Sequence, residues 1–213
     1  MALDNAAGIT LILDEEDVPP VHEDNTLGTS PFLLTSDHYG RAIPRSLGDL
    51  GLTPGELTRH IAWDPGIAGV ADALSKHLGA HLIAQRYSRL MIDCNRPPGV
   101  PSSIPRISEA TIIPGNEALT RDAAETRRAA IFDPYHRRIA EVIEARQRNS
   151  MPTVLVSLHS FTPVYAGIIR PWHIGTLYHR DTNLPPRLLK ALRAEADLVV
   201  GDNEPYADRK SVV

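Results

Sequence analysis

The stretch TVLVSLHSFTPVY, residues 153–165, decides how the chain is read. Thr153 to Leu158 is an unbroken β-branched and aliphatic run that stops on His159, Ser160 and Thr162, between Pro152 and Pro163. So short an apolar run, bounded by prolines, predicts a strand buried on both faces, as in the interior of a parallel sheet. Ligands of open α/β sheets bind outside the carboxyl ends of the strands, which makes His159 a candidate ligand-binding residue. The competing reading is a histidine that satisfies strand-end carbonyls, since imidazole is both a common metal ligand and an ordinary hydrogen-bonding group.

Outward from this strand the pattern repeats. Pro31 to Thr35, PFLLT, is a second apolar run, and it delivers Ser36, Asp37 and His38 at its end. Ala80 to Gln85 and Leu90 to Cys94 read as two further strands, carrying Tyr87, Ser88, Arg89, Asp93, Asn95 and Arg96 at or beyond their ends. Ile174 to Tyr178 and Asp197 to Val200 complete the set. Between them, Ile67, Val70, Ala71, Leu74 and Leu78 recur at helical spacing over Ala68 to Leu78. Thr120 to Arg148 reads as helix broken near Asp133 and Pro134, and Pro185 to Glu195 as another. The alternation predicts an α/β fold, a three-layer αβα arrangement around a mixed, largely parallel sheet. Residues 1–30, acidic and punctuated by Pro19 and Pro20, read as an N-terminal arm with a short strand at Ile9 to Leu13; residues 31–213 read as one domain. Pro97 to Pro114 reads as a long loop without structure of its own, of the kind that covers a site.

Composition narrows the partners. The net charge of 213 residues is -4 with no long basic run, which argues against a nucleic-acid backbone or an anionic membrane surface as partner. Cys94 is the single cysteine, so no intrachain disulfide forms, and a cytoplasmic location is expected. The opening residues are acidic where a secretory signal is basic, and no apolar stretch approaches the ~20 residues that span a bilayer. Neither a glycine-rich phosphate loop nor a Gly-x-Ser-x-Gly elbow is present, and Cys94 reads as a core residue.

Two constellations carry chemistry. His38 and His159 each end a strand and form a candidate metal pair; a catalytic zinc takes three protein ligands, so a third donor is required. Asp37 and Asp64 are both available. Asp64 also suits the N-cap of the helix that follows, with Pro65 at its first position. Asp37, adjacent to His38 on an extended chain, would point to the opposite face, so Asp64 is preferred. The second constellation is Arg89, Asn95 and Arg96, where a guanidinium beside a strand end offers planar donors to a carboxylate and suggests an acidic substrate. The plainer reading of these arginines is surface charge. His60, His77, His81, His136, His173 and His179 share no spacing.

The segments SDHYGRAIP, HIAWDPG, YSRLMIDCNRP, DPYHRRI, VSLHSFTP and GDNEPY, in this order from Pro31 to Tyr206, resemble the N-formylglutamate amidohydrolase family, itself similar to zinc carboxypeptidases and aspartoacylases. That resemblance implies a zinc-exopeptidase-like (phosphorylase/hydrolase-like) fold and one zinc ion held by His38 and His159. It also implies a substrate carboxylate bound by Asn95 and Arg96, with Ser160 in the substrate site and Arg89 assisting or polarising the scissile carbonyl. The implied substrate is a small N-acyl amino acid, and the implied reaction converts N-formyl-L-glutamate and water, or a close analogue, to formate and L-glutamate. Carboxypeptidase-like enzymes carry a ligand Glu three residues after the first His, where this chain has Arg41. Family members also continue past GDNEPY to a late Glu that resembles a general base, whereas neither Glu204 nor Asp208 matches that pattern. The expectation is a chain that lacks the usual C-terminal segment; the alternative function is a catalytically impaired member that binds a metal or an acidic metabolite.

Overall fold

The computed structural model describes residues 12–181 and 183–206. Among these, β1 (Val21–Asp24) and β2 (Phe32–Ser36) lead through α1 (Pro54–Leu57) to α2 (Ile67–Leu78) and β3 (His81–Gln85). A small hairpin, β4 (Ile107–Ser108) and β5 (Thr111–Ile112), precedes α3 (Pro114–Glu117), α4 (Arg121–Arg127), α5 (Asp133–Arg148) and β6 (Val154–Ser157). The remaining elements are β7 (Val164–Tyr165), β8 (Ile168–Ile169), β9 (Ile174–Thr176), α6 (Leu184–Leu192) and β10 (Val200–Asp202). The chain divides after Phe161 into two compact units.

In the first unit the sheet runs β1-β3-β2-β6, with β3, β2 and β6 parallel and β1 antiparallel at the edge. Strand alternation sends Leu33 and Ile83 to one face, where they pack with Tyr135 and Val142 of α5. Leu34, Leu82 and Ala84 face the other way and pack with Ala71 of α2. The result is a mixed α/β fold with a helix on each side of a mixed sheet. In the second unit, β7 and β8 form a hairpin around Ala166 and Gly167, whose positive φ values of 48° and 80° match a two-residue hairpin turn. There β9 and β10 pair in parallel, with α6 between them in sequence. No helix of the described residues is long and apolar enough to cross a membrane.

Five expectations need correction. Leu90 to Cys94 is not a strand but a buried turn segment. Its apolar side chains enter the core, while its carbonyls are taken by side chains instead of a ladder: Asn116 donates to Leu90 O at 2.9 Å and the buried Arg127 to Met91 O at 3.3 Å. The strand in Thr153 to Leu158 is not buried on both faces, because β6 lies at the sheet edge and Leu155 is 51% exposed. The arm contains β1, which pairs with β3; the strand expected at Ile9 to Leu13 falls largely outside the described residues, and Ile12 and Leu13 lie in a bend. The loop from Pro97 to Pro114 holds the β4–β5 hairpin. The helix does not break at Pro134, because Arg128–Phe132 widens to a π-turn in which the Asp133 N–H donates to Arg128 O. That widening accommodates a proline lacking an N–H and crowding the carbonyl four residues back.

Glu23 ties the edge strand down. Its carboxylate accepts from Arg138 Nε at 3.0 Å on each oxygen and contacts His81 Nε2 at 2.7 Å. Burial opposes its ionisation, but the hydrogen bonds from Arg138 and His81 hold its pKa below the ordinary value of 4.5. A depressed carboxyl stabilises the fold above its unfolded pKa and loses that contribution as pH falls through the folded value. Glu23→Gln should therefore lower the urea midpoint at pH 7, with the gap to wild type closing as pH is lowered toward 3. A gap that stays constant over that range would contradict the role assigned to Glu23.

Candidate active site

His38 lies two residues beyond β2 and His159 two residues beyond β6, on neighbouring parallel strands, so their rings meet at the same sheet end. The ring centroids are 4.9 Å apart. Asp64 reaches the same place from the turn before α2, pinned by its N–H donating to His38 O at 3.0 Å. Its carboxylate lies between the two rings: Oδ2 is 3.1 Å from His159 Nδ1, and Oδ1 is 3.5 Å from His38 Nδ1. Ser160 contributes its backbone N–H to Asp64 Oδ2 at 3.0 Å.

This geometry overturns the helix-cap alternative for Asp64. The residue that caps α2 is Gly66, at φ 83°, and the Asp64 side chain makes no capping bond to α2. Asp37 does not point away either. Both it and His38 sit in a turn after β2, where strand alternation no longer applies, and Asp37 Oδ2 lies 3.3 Å from His159 Nε2. Its other oxygen accepts from the buried Tyr135 hydroxyl at 2.6 Å.

Asp93, in the segment read as a strand, proves central. Its Oδ1 lies 2.7 Å from His38 Nε2 and accepts from Asn95 N at 2.9 Å, while Oδ2 accepts from Arg89 Nη2 at 2.7 Å. Arg89 also approaches Asp64 Oδ1, at 3.6 Å. An Asp that turns the chain back on its own backbone N–H two residues later is the available sequence signal. Asn95 and Arg96 follow on that turn; Arg96 donates to Asn95 O at 3.2 Å and has no carboxylate partner among the described residues. The structure thus gathers His38, Asp64, His159, Arg89 and the Ser160 backbone, and hangs Asn95 and Arg96 from Asp93. Four of the other histidines are occupied elsewhere: His60 by Glu109, His81 by Glu23, His136 by Cys94 O, and His173 by the Val199 N–H.

The electrostatics follow from three buried carboxylates facing few cations. Burial would raise Asp64, Asp93 and Asp37, yet contacts with the histidines hold all three well below the usual carboxylate range, and Arg89 helps at Asp93. Burial would lower His159, but Asp37 and Asp64 push it up to about 9. Such a cluster favours an added positive charge.

The donors fit a divalent ion. One atom from each of His38, Asp64 and His159 lies within 4.8 Å of the other two. His38 is 2% exposed; Asp93 occupies its Nε2, and its Nδ1 is buried with no hydrogen-bond partner among the described residues. A buried ring nitrogen with an open lone pair beside a carboxylate is a metal-ligand arrangement, and two imidazoles with one carboxylate suit zinc. A second grouping, His22 with Asp24 and Asp72, is different: Arg86 lies 3.1 Å from His22 Nδ1, so a guanidinium already supplies the positive charge.

A mixed α/β fold with a buried histidine–aspartate cluster at the carboxyl ends of parallel strands is the layout of an enzyme site. The sequence matches the model of the N-formylglutamate amidohydrolase family over residues 30–211, and the chain belongs to that family. The crystal structure of gene product Atu2144 from Agrobacterium tumefaciens superposes with a TM-score of 0.87 at 39% identity, covering 92% of this chain and 77% of that one. N-formylglutamate amidohydrolase from Ralstonia eutropha JMP134 shares the fold with a TM-score of 0.68 at 21% identity, covering 89% and 78%. No curated protein matches the chain.

Asp93 and Arg96 should separate in stability. Asp93→Ala strands His38 and Arg89 and should cost about 3–5 kcal/mol of unfolding free energy. Arg96→Ala should cost less than about 0.5 kcal/mol. Denaturant titration measures both, and equal losses would contradict the placement of Asp93 at the centre.

Proposed function

We infer that this member of the N-formylglutamate amidohydrolase family is an amidohydrolase acting on a small-molecule substrate. We propose that it carries out metal-dependent hydrolysis of an N-acyl amide of an acidic amino acid, with N-formyl-L-glutamate and water yielding formate and L-glutamate as the leading case. The zinc-exopeptidase-like character of the fold belongs to the same proposal. The observation that carries it is the Asp64 carboxylate set between two histidine Nδ1 atoms, one of them buried and without a hydrogen-bond partner among the described residues.

His38, Asp64 and His159 would hold one zinc ion. When bound, the ion supplies Lewis acidity, acidifying water and polarising a carbonyl. Asp93 keeps the His38 proton on Nε2 and so leaves Nδ1 open, the usual role of a carboxylate behind a ligand histidine. Arg89, braced by Asp93, holds fixed positive charge beside Asp64, where an acyl oxygen gains charge as its amide is attacked. Asn95 and Arg96 receive the substrate carboxylate, for which the Arg96 guanidinium, with no carboxylate partner among the described residues, is the matching donor.

One observation favours a second reading, a member that binds a metal or an acidic metabolite with little turnover. Asp37, Asp64 and Asp93 are each engaged by histidine, tyrosine or arginine, so no carboxylate of the described cluster is free to act as general base. Zinc-loaded protein decides between them. Formate release from N-formyl-L-glutamate supports hydrolysis; calorimetric binding of the same compound with no formate supports the binding member.

Two outcomes are expected. Wild type should retain about one zinc per chain after dialysis, and a His38→Ala, His159→Ala double variant should retain none; undiminished zinc in that variant would refute the site. Arg96→Ala should keep its zinc yet bind N-formyl-L-glutamate about ten- to a hundredfold more weakly. That range corresponds to a charge-assisted hydrogen bond of roughly 1.5–3 kcal/mol. Equal affinity of the two proteins would make Arg96 a surface charge.

A further inference from the structure

Each candidate ligand histidine has a carboxylate on the ring nitrogen that faces away from Asp64. For His38 that partner is Asp93, at 2.7 Å from Nε2. For His159 it is Asp37, whose Oδ2 lies 3.3 Å from Nε2. Asp37 differs in being anchored in turn: Tyr135 of α5, fully buried, donates its hydroxyl to Oδ1 at 2.6 Å. The chain of contacts Tyr135–Asp37–His159 therefore joins a helix, the turn after β2 and the end of β6, all in the first unit. A residue needed only to fill the core at position 135 could be phenylalanine; the hydroxyl is present, near the Thr35 side chain, and it donates to a carboxylate.

We propose that Asp37, oriented by Tyr135, is the positioning residue that places the His159 proton on Nε2 and presents Nδ1 toward Asp64. This rests on the metal-site reading above and deepens it. Three features favour positioning over ligation by Asp37. Its oxygens are committed to Tyr135 and to His159, and the His159 nitrogen it faces is the one remote from Asp64. Ser157 Oγ lies 3.2 Å from the same Nε2, so without Asp37 the ring retains only a neutral hydroxyl that can donate or accept. The tautomer would then be unspecified. With the acceptor-only carboxylate in place, Nε2 holds a proton, so Nδ1 is the nitrogen that can give up its proton to a cation shared with Asp64.

The substitution that tests this is Asp37→Asn, which preserves size and can still accept from Tyr135 while turning an N–H toward His159 Nε2. That N–H favours the proton on Nδ1, the nitrogen the site needs free. Outer carboxylate partners of ligand histidines are worth about 10–100-fold in metal affinity. Asp37→Asn should thus weaken zinc binding by roughly that factor in chelator competition, and Tyr135→Phe by a smaller factor. The double variant should bind like Asp37→Asn alone, because Tyr135 acts through Asp37 and the two effects share one path. The visible spectrum of the cobalt-substituted protein supplies a second readout: its d–d bands should shift in Asp37→Asn and stay put in Arg96→Ala. Unchanged zinc affinity and an unchanged cobalt spectrum in Asp37→Asn, with wild type binding normally, would overturn the inference. Multiplying losses in the double variant would also overturn it, since they would mean that Tyr135 acts on the fold and not through Asp37. Failure of wild type itself to bind zinc would instead remove the underlying reading. Should Tyr135→Phe unfold, Asp37→Asn alone still decides the matter through affinity and spectrum.

Discussion

Three aspartates buried at one sheet end create the constraint on which the site depends. Left alone, carboxylates that close to one another would shed charge by taking up protons. Here each is matched by donors: Asp93 by Arg89 and His38, Asp37 by Tyr135 and His159, and Asp64 by His159 and the Ser160 amide. Within this cluster, His38 Nδ1, beside Asp64, is buried without a hydrogen-bond partner among the described residues. The local balance of charge therefore suits the small cation proposed above.

The scaffold explains how so many groups from distant positions meet. Parallel pairing of β2 with β3 and β6 aligns three carboxyl ends, and helices pack on the two faces of the sheet. Arg127 and Asn116 then hold the Leu90 to Cys94 segment in a non-repetitive course, which delivers Arg89 and Asp93 to one side of the cluster. A strand in that place would have kept Arg89 and Asp93 on one face but set them about 13 Å apart along it, too far for the 2.7 Å contact they make.

Much of this was legible in the residues, and the exceptions have physical reasons. The apolar runs ending on His38 and His159 located two parallel strands and two rings that meet at one sheet end, because burial and strand direction are written in local composition. The strand expected at Leu90 to Cys94 failed because a buried apolar run does not state who satisfies its carbonyls; Asn116 and Arg127, remote in sequence, do so. The Asp64 ambiguity between capping and ligation could not be settled from a Pro65 that suits both. Asp37 was misjudged by extending strand alternation one residue too far, past Ser36. The break expected at Pro134 assumed that a helix must end where a hydrogen bond is lost, whereas a π-turn absorbed the defect.

The central claim is that His38, Asp64 and His159 share one divalent ion. Anomalous X-ray diffraction from crystals grown with one equivalent of zinc, recorded on either side of the zinc absorption edge, tests it most directly. The account predicts a single strong anomalous peak among His38 Nδ1, His159 Nδ1 and the Asp64 carboxylate. A peak at His22, Asp24 and Asp72 instead, or no ordered zinc at the strand ends, would contradict it.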